Sequence, residues 1–63
     1  MLEQKEIIKR LKAMMKVYGT PNAFVGKKTG LDNSTICRLL KDDINLKQEN
    51  LEKLDKFLSV RGF

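Results

Sequence analysis

Two glycines, Gly26 and Gly30, interrupt an otherwise helix-forming stretch, NAFVGKKTGLDNSTICRLLK, from Asn22 to Lys41. A glycine inside a helix costs about 1 kcal/mol relative to alanine, so a position that keeps one needs another reason, such as close approach of a second backbone segment. A glycine at a helix end supplies the left-handed conformation that lets the chain turn sharply. Gly26 suits the first need and Gly30 the second. The stretch therefore reads as two short helices meeting at an angle across a tight turn. Val25, Leu31, Ile36 and Leu39 are the apolar contacts that hold the second of these helices against the first. Its opposite face stays uncommitted.

The flanking segments supply two further helices. From Leu2 to Val17, Ile7, Leu11, Met14 and Tyr18 recur at helical spacing, with Lys5, Lys9, Lys12 and Lys16 facing away. Ile8, Leu11, Met15 and Tyr18 form a competing stripe, and periodicity does not choose between the two. Gly19 is the expected left-handed cap, and Pro21 cannot continue that helix. Thr20 followed by Pro21 suits an N-cap and first helical position for a second helix ending near Lys28. Asp32 or Asn33 caps a third helix that reaches about Lys41. Asp42-Asp43-Ile44-Asn45 is a polar connection to a fourth, from about Lys47 to Val60, in which Leu51, Leu54 and Leu58 form the stripe beside Phe57. No segment reads as a strand. The expected fold is all-α, a single four-helix domain over residues 1–63.

A chain of 63 residues buries only about 60% of the surface its unfolded form exposes, so its stability rests on tight helix packing or on self-association. Disulfides and metals are excluded as substitutes by one cysteine, no histidine and no acidic cluster at ligand spacing. The same inventory argues against an enzyme, because neither an activated nucleophile nor a phosphate-cradling glycine loop can be assembled. No apolar run approaches the roughly 20 residues of a membrane span, and Lys9-Arg10 directly after Ile7-Ile8 does not read as a secretory leader. A reducing cytoplasm is the expected compartment. No cofactor and no small-molecule effector is indicated.

The formal charge of +5 is unevenly distributed. Lys5, Lys9, Arg10, Lys12 and Lys16 outnumber Glu3 and Glu6 in the first helix, and Lys27, Lys28, Arg38 and Lys41 face only Asp32 in the next two. Beyond residue 41, Asp42, Asp43, Glu49, Glu52 and Asp55 exceed Lys47, Lys53, Lys56 and Arg61. A polyanion would be drawn to the first two thirds of the chain.

Lys28-Thr29-Gly30-Leu31 and Ser34-Thr35-Ile36-Cys37-Arg38, with Leu51-Glu52-Lys53-Leu54 farther on, resemble the K-T-G-[VL]-S, S-T-I-S-R and L-x-K-[IL] runs of the helix-turn-helix family of lambda repressor and Cro. That family includes many small phage, plasmid and chromosomal regulators. The likeness spans residues 4–60 and sets the helix-turn-helix motif at 21–41. It departs from the family's pattern at Gly26, where alanine is usual, and at Asp32, where serine is common. Cys37 also stands where serine is frequent, and its plainest role is that of a small half-buried residue.

The resemblance implies a third helix lying in the major groove of double-stranded DNA with its first turn toward the bases. Asn33, Ser34, Thr35 and Arg38 are then the expected base contacts. Asn pairs bidentately with adenine, Ser and Thr bond several edges, and Arg favours guanine. Thr20, Asn22, Lys27, Lys28 and Lys41 are the expected phosphate contacts. Function would be that of a transcriptional regulator, most simply a repressor that occludes a promoter. Two copies would sit on half-sites about 34 Å apart, paired through Phe57, Val60, Phe63 and the spare apolar residues of the first helix. Phe24 is expected to pack in the core. The competing reading is a small adaptor or inhibitor that uses this fold to bind a protein partner.

Overall fold

The computed structural model describes residues 1–63, arranged as four helices with no strand: α1 (Gln4–Tyr18), α2 (Asn22–Thr29), α3 (Asn33–Leu40) and α4 (Gln48–Val60). The boundaries follow local chemistry. Gly19 ends α1 at φ 64° with its N–H on the Met15 carbonyl, and Thr20 N–H reaches the same oxygen at 3.1 Å. Gly30 ends α2 at φ 79°, donating to Gly26 O at 2.8 Å. Two start signals act one residue later than expected. Pro21, extended at ψ 158°, is itself the N-cap of α2, and Asn22 is the first helical residue, so Thr20 plays no capping part. Lys47 likewise caps α4 from outside. Asp32 caps α3 in extended geometry, yet its carboxylate makes no capping hydrogen bond. Its contribution is to place negative charge at the positive helix end.

One core serves all four helices. Ile7, Ile8, Leu11 and Met14 from α1 meet Val25 of α2, Ile36 and Leu39 of α3, and Leu51, Leu54, Phe57 and Leu58 of α4. Both candidate stripes of α1 contribute, because this helix packs against α3 on one side and α4 on the other and must bury a wide face. Met15 is half-buried and Tyr18 is 58% exposed, so the outer ends of both stripes leave the core. Each fully buried Leu or Ile contributes about 1.5–3 kcal/mol relative to exposure.

Two amide side chains tie the start of the chain to the α3–α4 connection and to the start of α4. Gln4 Nε2 donates to the Ile44 carbonyl at 2.6 Å and to Asp42 Oδ1 at 3.0 Å, while Leu46 N–H donates to Gln4 Oε1 at 2.8 Å. Gln48 exchanges two hydrogen bonds of 2.9 Å with the backbone of Leu2. Asp42, at φ 55°, takes the left-handed conformation that lets the chain leave α3 sharply. Near the middle of α1, Arg10 donates to Asp55 Oδ1 and to the Phe63 main-chain oxygen, each at 2.6 Å, joining α1 to α4 and to Phe63. No helix is long and apolar enough to cross a membrane.

Candidate nucleic-acid interface

The outward face of α3 is set by what the core takes from it. Ile36 and Leu39 are fully buried. Ser34, Arg38 and Lys41, at i, i+4 and i+7, are exposed together on the opposite side, and Asn33 is exposed at the start of the helix. Thr35 is half-buried at the edge of the packed face, and Cys37 is half-buried and free. Of the four expected base-contacting residues, three therefore lie open.

What holds α3 there is close backbone approach. A Cβ added at Gly26 would lie 2.5 Å from the Leu31 carbonyl oxygen, far inside van der Waals contact, so only glycine allows the turn to lie this near α2. Thr29, buried beside it, donates its hydroxyl proton to the Val25 carbonyl at 2.7 Å and so leaves no unsatisfied polar group under the turn.

The expected phosphate-contacting residues divide. Lys27 and Lys41 are exposed, and Asn22 is half-buried at the first position of α2. Thr20 is half-buried with its hydroxyl directed at the Met14 sulfur, 3.7 Å away. Lys28 belongs to a different neighbourhood: its ammonium sits 5.6 Å from the centroid of the Phe24 ring, at the groove between α2 and α4. Around α3 itself, Asp32, Asp42 and Asp43 are exposed and outnumber Arg38 and Lys41. This helix thus presents an exposed polar face rather than a dense positive field.

A cluster of positive charge lies away from α3 and was not expected from the order of charges along the chain. Lys28 of α2 and Lys53, Lys56 and Arg61 of the last segment line one open groove of about 330 Å³. Its floor is Phe57 and Val60, and no acidic residue lines it. Arg10–Asp55 is the single ion pair of the protein, so these four cations are unpaired. The segment after residue 41 is acidic in sum, but folding sorts three of its four cations toward α2.

Phe24 is not a core residue. It is 37% exposed, its ring tilted against Phe57 at 6.4 Å between centroids, while Val25 beside it takes the buried face of α2. Arg61 covers the Phe57 ring at 3.9 Å. Phe57 is only 7% exposed and belongs to the core, so it is not available for pairing two copies. Phe63 packs edge-on against Tyr18 at 5.8 Å. No group of three or more His, Cys, Asp or Glu side chains is placed to hold a metal ion. Comparison with family models, with curated proteins and with solved structures finds no match for this chain.

Proposed function

We propose that this protein is a sequence-specific double-stranded DNA-binding regulator, a helix-turn-helix domain of the lambda repressor and Cro kind that represses by occupying a promoter. The observation that supports this most is the division of α3. Ile36 and Leu39 anchor it to the core while Ser34, Arg38 and Lys41 stand together in solvent, as a helix inserted in a major groove requires. In this reading Asn33, Ser34 and Arg38 read base edges, with Thr35 contributing from the rim. Asn22, Lys27 and Lys41 hold phosphates, joined by the amides that open α2. Two copies on adjacent half-sites supply the specificity that one short helix lacks.

The adaptor reading is favoured by a separate observation, the unpaired cations between α2 and α4. Titration with random duplex DNA at low and moderate salt, followed by selection of a preferred site, separates the two. Four to six phosphate contacts give a slope of log affinity against log salt of about −4 to −5. Absence of measurable duplex affinity even at low salt moves the assignment to the adaptor.

A further inference from the structure

The groove between α2 and α4 does not end at its four cations. Val60 and Arg61 also line a second hollow, completed by Tyr18, Thr20 and Phe24, so the two form one continuous band. One half is basic and the other apolar: Tyr18 is 58% and Val60 77% exposed. We propose that this band binds an acidic peptide segment of a protein partner, with large apolar side chains seated on Tyr18, Phe24 and Val60 and carboxylates beside Lys28, Lys53 and Lys56.

Charge complementarity selects the occupant. The cations have no carboxylate within 4.0 Å, although Glu52 stands one helical turn before Lys56, so they are left to an external anion. A nucleic-acid backbone would match the charge but leave the exposed apolar half uncovered. Stacking of a base on Phe57 is opposed as well, because Arg61 already covers that ring at 3.9 Å from its centroid. An acidic segment carrying apolar anchors satisfies both halves at once, with buried anchors supplying affinity and rim charges supplying orientation and rate. The proposal is independent of whether α3 enters DNA.

Selection of short random peptides displayed against the intact protein tests it. Enriched sequences should carry an excess of Asp and Glu around one or more Leu, Phe or Met. An enriched peptide titrated into isotope-labelled protein should shift the amide signals of Lys28, Lys53, Lys56, Val60 and Arg61. The exposed double substitution Lys53→Glu with Lys56→Glu should weaken that peptide at least about tenfold, and Val60→Asp should also weaken it, with helicity kept in both. Arg38→Ala should leave it unchanged. Enrichment of neutral or basic peptides, or shifts confined to α3, overturns the proposal. So does a loss of duplex DNA affinity in the double variant equal to that in Arg38→Ala, which would make the band a DNA contact. Concentration-dependent self-association abolished by the double variant would assign it to a second copy of the chain and overturn it equally.

Discussion

Gly26 and the Leu31 carbonyl are in such close apposition that a single methyl group between them would sit 2.5 Å from the oxygen. Alanine at this position gains about 1 kcal/mol in helix propensity, but the obstacle is backbone, which cannot rotate aside. Overpacking of this kind costs about 1–3 kcal/mol. Gly26→Ala is therefore expected to be destabilising on balance, and a denaturant midpoint at or above that of the parent protein would show that the turn can back away from α2. The alanine usual at this place in the resembling family would not fit the spacing found here.

Gly30 makes a different demand. Nothing lies within 4 Å of the Cβ it lacks, and only its φ of 79° is at issue. Gly30→Ala should cost about 1–2 kcal/mol through the left-handed backbone alone. Gly30→Asn should recover part of that loss, since Asn tolerates this region better. Equal melting temperatures for the Ala and Asn variants would point to a steric role instead.

The two faces of α3 should separate under substitution. Ile36→Ala removes a fully buried side chain and should cost about 2–5 kcal/mol, a large part of the total stability of so small a domain. Arg38→Ala should keep full helicity and weaken binding to a selected DNA site by about 1–3 kcal/mol. Circular dichroism melts combined with binding titrations on both variants check this. Equal loss of helicity in the two would mean that α3 is not divided as described.

Arg10 links three groups at once: Asp55 Oδ1 and Phe63 O at 2.6 Å each, and Ser59 Oγ at 3.3 Å. The ion pair's side chains are 26% and 37% exposed, and it counts for little by itself. The bond to the Phe63 main-chain oxygen, which no other side chain reaches, adds to it, so Arg10→Ala should lose about 1–2 kcal/mol. Arg10→Lys should restore little, because one ammonium cannot span three acceptors arranged for a planar fork. Full recovery by lysine in a thermal melt would assign the effect to charge.

Where the fold was legible, a short stretch of sequence carried the cause. Gly19 and Gly30 mark helix ends by their own conformational freedom, and Ile36 with Leu39 reveals the packed side of α3 by spacing alone. Phe24 was misplaced because its surroundings come from another helix, the Phe57 ring of α4, and Thr20 lost its expected N-cap place to Pro21. The exposed face of α3 was readable from its own residues. The cationic groove was not, since it exists only when Lys28 meets Lys53 and Lys56 across a gap of some two dozen positions. Charge counted along the chain even pointed the other way.

The clasp that Gln4 and Gln48 place on the backbone around Ile44, Leu46 and Leu2 uses uncharged amides almost throughout. Dissolved ions have little to screen there. The scaffold that presents α3 should thus stay rigid across an ionic-strength series that strips any polyanion from its surface, so release of a ligand by added salt would report the contact itself and not a loosening of the support behind it.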